Sequence, residues 1–309
     1  MNLENNYIRS YEYQKNVNPI LEQIPITSKN INECKYGINM IDIGRNYNIE
    51  YNATTPNLLA NFIKIKGDDE YVSTNYIPNM MASSHFFYIM QGTCKIIINN
   101  TPFSLSEGDI FISPQFHSIQ IKNNIDSEKN IDKEDLYIYY INDSPLLHYL
   151  GSIPIKPIFQ PAIYPKDYLS SQLTNLSNPK NNRKGILLSN EDTDKLGINT
   201  ITPVLWCLYN ELPPNTDQKP HKHNSVALDL CIESLDSDNI YTLIGEELDQ
   251  NGDIINPKKI HWKKNEMFIT PPGLWHSHHN KGDTYAYILP IQDAGLLLYQ
   301  RILGIVLQT

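Results

Sequence analysis

Two short apolar runs between Pro220 and Asn280 are each bordered by clustered histidines, and this restricts the chain more than any other feature. The stretch opens Pro-His-Lys-His (Pro220 to His223) and closes Pro-Pro-Gly-Leu-Trp-His-Ser-His-His-Asn (Pro271 to Asn280). The run from Asn224 to Glu233 is β-branched and apolar, without Pro or Gly, which predicts a strand. Alternate side chains on a strand share a face, so His221 and His223 point the same way. His276 supplies a third imidazole, arriving after the strand-like Met267-Phe-Ile-Thr and a turn at Pro272-Gly273. Six of the nine histidines (His221, His223, His261, His276, His278, His279) fall in this stretch. That concentration favours a metal site over scattered surface or core histidines. Structural zinc usually closes four ligands and often uses Cys. Three imidazoles with open positions suit Fe(II), and also Mn, Ni or Cu.

Similar short runs punctuate most of the chain. Asn57 to Lys66, His85 to Ile98, Ile110 to His117 and Leu136 to Ile141 read as strands, with a turn at Asn99-Asn100. Short strands separated by turn signals predict an all-β sandwich or barrel. A short helix is expected within Tyr11 to Gln23. Lys122 to Glu134 is almost wholly polar and predicts an exposed, mobile loop. Gly151 to Lys184 carries five prolines and one helix-like segment, Lys166 to Leu176. These boundaries divide the chain into an N-terminal unit (1–150), a connector (151–184) and a C-terminal metal-binding unit (185–309).

The two units repeat each other weakly. Tyr88-Ile-Met-Gln-Gly parallels Leu230-Cys-Ile-Glu-Ser, and Gly108-Asp-Ile-Phe-Ile-Ser-Pro parallels Asn265-Glu-Met-Phe-Ile-Thr-Pro. Where the first unit should carry a histidine pair it has Asn79, Met80 and Met81. His85 and His117 remain, and they are read as leftovers of a structural copy.

A net charge of −9 with no basic stripe argues against a nucleic-acid partner. No apolar run approaches the ~20 residues of a membrane span, and the N-terminus lacks a signal-peptide pattern. The four cysteines form no Cys-x-x-Cys, which points to a reduced, cytoplasmic protein. The apolar tail from Ala294 to Leu307 reads as a packed tail or a subunit contact, hence a homo-oligomer, a dimer or a tetramer.

At the quoted residues the chain resembles the cupin superfamily, whose first motif holds a His-x-His and whose second closes Pro-x-Gly-x-x-His-x-x-x-Asn. Two such halves imply a bicupin of two jelly-roll β-barrels with a few short helices. From Arg183 to Asp293 the sequence further resembles gentisate 1,2-dioxygenases and the related salicylate and 1-hydroxy-2-naphthoate dioxygenases. The carrying segments are Arg183 to Asn190, Thr200 to Asn210, His221 to Leu228 and Trp275 to Asp283.

The resemblance implies a three-His Fe(II) site (His221, His223, His276) that cleaves a hydroxylated aromatic ring with O₂. By position it also implies that His278 hydrogen-bonds substrate, that Trp206 and Asn210 face the ring pocket, and that Arg183 holds a carboxylate. The chain departs from the family in placing Asp229 where most relatives have Arg, and in carrying the metal motif in its second half. That reversal of charge predicts a substrate other than gentisate, although six residues of straight strand would set Asp229 ~20 Å from His223. A metal-dependent isomerase or lyase and a non-catalytic small-ligand-binding bicupin are the competing readings.

Overall fold

The computed structural model describes residues 7–18, 20–67, 81–123, 134–177 and 182–308. Asn79, Met80 and most of the polar stretch between Lys122 and Glu134 lie outside the described residues. After a four-residue helix α1 (Tyr13–Asn16), shorter than the expected one, the strands begin. They run β1 (Ser28–Asn30), β2 (Gly37–Met40), β3 (Leu59–Ile65), β4 (Ser84–Gln91), β5 (Thr93–Ile98) and β6 (Thr101–Ser106). Next come β7 (Ile110–Pro114), β8 (Ile119–Asn123), β9 (Leu136–Asn142) and helix α2 (Ser144–Leu150). Between residues 151 and 183 lie β10 (Ala162–Tyr164) and α3 (Lys166–Thr174).

The second half starts with β11 (Lys184–Leu188), α4 (Glu191–Asp194), β12 (Trp206–Leu212), β13 (Thr216–Asp217), β14 (His221–His223) and β15 (Ala227–Glu233). It continues through β16 (Ile240–Gly245), β17 (Lys258–His261), β18 (Glu266–Thr270), β19 (Trp275–Asn280) and β20 (Ala286–Gln292). Helix α5 (Ala294–Tyr299) and β21 (Ile305–Leu307) close the chain.

These strands form four stacked antiparallel layers. Two six-stranded sheets, β10-β7-β4-β9-β3-β2 and β1-β18-β15-β20-β12-β11, lie in the middle. Their facing side chains, among them Phe86, Tyr88, Ile112, Leu228, Leu230 and Ile269, form one core that joins the halves. Because both faces are covered, β3, β4 and β7 are buried nearly throughout rather than in alternation. On the outside, β6-β5-β8 covers the first central sheet, and β17-β16-β19-β14-β21 covers the second. The outer strands β5 and β16 are wet on one face and alternate. The asparagines at the tip of the β5–β6 hairpin, Asn99 and Asn100, sit at φ 47° and 69°, the left-handed pair that a two-residue hairpin requires.

The central sheets have the same strand order when β10, β7, β4, β9, β3 and β2 are laid on β1, β18, β15, β20, β12 and β11. Even the irregularity recurs, between Ile89 and Gln91 in β4 and between Cys231 and Glu233 in β15. β1 and β10 occupy matching edge positions in the two central sheets. β1 pairs with β18 of the second half, and β10 pairs with β7 of the first.

Candidate metal centre

Residues 221 to 233 are not one continuous strand. β14 belongs to the outer sheet and β15 to the central one, and the chain crosses between them at residues 224–226. Hydrogen bonds hold the crossing: Asn224 donates to Ile302 O, and Val226 N–H donates to the Asp293 carboxylate. Asp229 therefore folds back opposite the histidines, and the straight-strand separation of ~20 Å does not apply.

β14 pairs with β19, setting His221 against His276. One ligand atom from each of His221, His223 and His276 lies within 4.8 Å of the others. The ring centres of His221 and His223 are 4.0 and 4.8 Å from that of His276. The outer edge of β14 is covered by the C-terminal β21, so the ligand strand is paired on both sides.

Backbone carbonyls orient two of the rings. His223 Nδ1 is 2.9 Å from Ser225 O, and His276 Nδ1 is 3.1 Å from Leu274 O. A carbonyl only accepts, so each Nδ1 carries its proton and each Nε2 keeps a lone pair for a metal. Ser225 Oγ also lies 3.1 Å from His223 Nδ1 and donates to Gln292 at 2.6 Å.

His221 differs, because Arg183 Nη1 lies 3.0 Å from its Nδ1. Arginine only donates, so His221 gives up this bond whichever nitrogen ligates a metal. Burial holds all three imidazoles below their usual pKa, and for His221 and His276 their histidine neighbours and Arg183 add to the effect. The set is thus neutral, and His223 and His276 already present a free Nε2 lone pair.

The histidines line one wall of a cavity of about 160 Å³ between the two sheets of this half. Ala227, Asp229, Leu208, Asn210, Pro290 and Gln292 of the central sheet form the opposite wall, and Arg183 to Leu187 flank it. Asp229 is buried; one oxygen accepts from Thr270 Oγ1 at 2.5 Å, and burial pushes its carboxyl up to about 7. Among the described residues it pairs with no lysine, and Arg301 bonds instead to Tyr299 O. Besides His221, Arg183 donates to Lys219 O at 2.5 Å, so among the described residues its hydrogen-bond partners are neutral and its charge is available to an anion.

His278 lines the same cavity with its pKa lowered to about 3 by burial. Trp206 shares a strand face with Leu208 and Asn210 but is not among the lining residues. His261 and His279 are held elsewhere, by Ser237 O and Asp217.

Sequence reasoning missed Gly185, Pro290 and Gln292. At Gly185 a Cβ would meet Asn210 Oδ1 at 1.8 Å, so only glycine leaves that amide its place. Pro290 breaks the ladder of a central strand, an irregularity readable as a proline inside an apolar run. In the first half His85 is buried and His117 exposed, and they form no metal group among the described residues.

No protein-family model matches the sequence. No curated protein matches it either. The structure, however, is similar to salicylate 1,2-dioxygenase from Pseudoaminobacter salicylatoxidans. A mutant of that enzyme in complex with gentisate superposes with a TM-score of 0.70 at 11% identity, over 96% of this chain and 91% of the other. A gentisate adduct gives 0.69 at 11%, over 96% and 88%. A further mutant gives 0.68 at 11%, over 94% and 91%. At such identity the likeness establishes the fold, and the fold is a bicupin.

Proposed function

We propose that the chain is a metal-dependent ring-cleaving dioxygenase acting on a small hydroxylated aromatic acid other than gentisate, with Fe(II) as metal and O₂ as co-substrate. The observation that carries this reading is the convergence of His221, His223 and His276 on a ring-sized cavity that also presents Arg183, Asn210, Asp229 and His278. The likeness to an enzyme crystallised with gentisate supports an aromatic occupant. Fe(II), when bound, supplies open positions for substrate and O₂ and a path for electrons between them; Mn, Ni, Cu or Zn fit the same donors.

Three neutral ligands leave a dication's charge uncompensated, which favours a chelating anion such as a phenolate beside a carboxylate. Arg183, released from His221, holds the carboxylate by its fork. His278 and Asn210 orient the ring. Asp229 faces a substituent able to donate, an amine, a guanidinium or a hydroxyl, because a buried carboxyl without a cation partner is stabilised by such a group.

The test is oxygen uptake with Fe(II) and matched hydroxybenzoates, with and without an amino group, on wild type and Asp229→Asn. Uptake that prefers the amino series, with the preference lost in the variant, is expected. Efficient gentisate turnover with an unchanged ranking would overturn the substrate assignment. Turnover without O₂ would indicate an isomerase or lyase, and a ligand-induced thermal shift without turnover a binding protein.

The free cysteines fit a reducing cytoplasm. Among the described residues no helix is long and apolar enough to cross a membrane. Exposed Tyr299, Ile302, Ile305, Val306 and Leu307 support a homo-oligomer, which light scattering would detect.

A further inference from the structure

Two buried polar side chains beside the centre have no part in the site as described. Thr242 lies on the inward face of β16 between Ile240 and Ile244, and it is wholly buried. It pairs across the sheet with His278. Trp262, just beyond β17, is 1% exposed. Trp262 Nε1 donates to Thr242 Oγ1 at 2.8 Å, and Thr242 Oγ1 lies 2.8 Å from His278 Nδ1. The indole ring meets the imidazole edge-on, with centres 5.4 Å apart.

The direction of this chain follows from its first member. An indole N–H can only donate, so the threonine oxygen accepts from Trp262. A hydroxyl has one proton of its own, and His278 Nδ1 is the acceptor it reaches. The reverse arrangement, with Nδ1–H donating to the same oxygen, would strand the threonine proton in a dry interior, which is costly.

We infer that Trp262 and Thr242 are positioning residues that hold His278 as its Nε2–H tautomer, so that this ring offers the cavity a hydrogen-bond donor and not a lone pair. Two consequences follow. The donor is placed to hold an electron-rich oxygen of the bound aromatic. The same proton also bars His278 from joining the metal as a fourth imidazole, although its ring centre is only 6.0 and 6.1 Å from those of His276 and His221. The relay thereby keeps the ligand set at three and open, where four imidazoles would close it.

This inference rests on the metal centre proposed above but not on the identity of the substrate. Its first test is ¹⁵N NMR of the Zn(II)-loaded protein, reading which nitrogen of His278 carries hydrogen. Nε2–H is expected in wild type and in Thr242→Ser. In Thr242→Val the proton should be shared between the two nitrogens or move to Nδ1. Nδ1–H in wild type, or an unchanged tautomer in the valine variant, overturns the inference whatever the reaction proves to be.

The second test is kinetic. Thr242→Val should lower kcat/KM about 10–100-fold at unchanged metal content, the usual effect of removing a partner behind a site residue, and Thr242→Ser should restore it. Equal activity of valine and wild-type proteins would also overturn it. An absence of turnover on every aromatic tested would count against the dioxygenase reading and leave the NMR result to decide the relay.

Discussion

The two halves share a strand order and differ in what fills them. Laid on each other by their pairing registers, His85 falls on Ala227, Phe87 on Asp229, Tyr140 on Pro290 and Ile63 on Asn210. In the first half these side chains close the interior. Phe87 stacks on Tyr140 with ring centres 4.6 Å apart, His85 bonds Tyr140 Oη at 2.8 Å, and Phe116 lies 4.2 Å from the His85 ring. In the second half two rings give way to a methyl and a carboxyl, a third ring gives way to proline, and the space left is the cavity. Truncating inward side chains on a central sheet, with ligands added on the outer one, turns a packed core into a binding site.

The largest expected effect would break this contrast outright. His223→Ala should abolish stoichiometric metal binding, read by elemental analysis, while His85→Ala should leave metal content unchanged and cost about 3 kcal/mol of stability instead. Phe87→Ala should cost about 3–5 kcal/mol in denaturant unfolding, because it opens a void in a filled core. Its counterpart Asp229→Phe should close the cavity and abolish ligand binding in a chain that still folds.

The contrast extends to pH. Asp229 is raised by burial from 3.8 to about 7, so the folded state holds its extra proton across that window. Wild-type stability should therefore fall, relative to Asp229→Asn, as pH rises from about 4 to about 7, by up to about 4 kcal/mol. His85 has the opposite sign, since burial lowers it from 6.5 to about 3. Relative to His85→Phe, wild type should lose stability as pH falls through that range.

Gly185→Ala should displace the Asn210 amide and raise KM about tenfold, equivalent to about 1.4 kcal/mol, with metal unaffected. The smallest effect is His117→Ala. An exposed side chain outside any site should change stability by less than about 0.5 kcal/mol and leave metal content alone.

Much of the second half was legible because strand period and histidine spacing are local. His221 and His223 share a face for the reason alternation requires, and His276 follows a turn that proline and glycine announce. Asp229 was harder to place. Distance along a strand is a poor guide where the chain changes sheets, and nothing in Asn224-Ser225-Val226 alone reveals the crossing. Trp206 was placed in the pocket by resemblance, yet the cavity ends at Leu208. Thr242 was invisible, because a single hydroxyl in an Ile-x-Thr-x-Ile alternation matters only once Trp262 and His278 are brought to it. Gly185 depends in the same way on Asn210 across the strand pair.

The long-range pairing of β1 bears on how the chain comes to be made. Ser28 pairs with Phe268, and Asn30 with Glu266, so a strand that leaves the ribosome early waits for partners some 240 residues later. Until then the β1 segment and later the bare edge of β18 are each open to pairing with another nascent chain. Contacts this distant in sequence make the closing step slow. Since β10 pairs with β7, a cut made before β10 would leave neither half with its own full sheet. A pair of separately expressed halves would have to complete each other, as two molecules do in a swapped dimer.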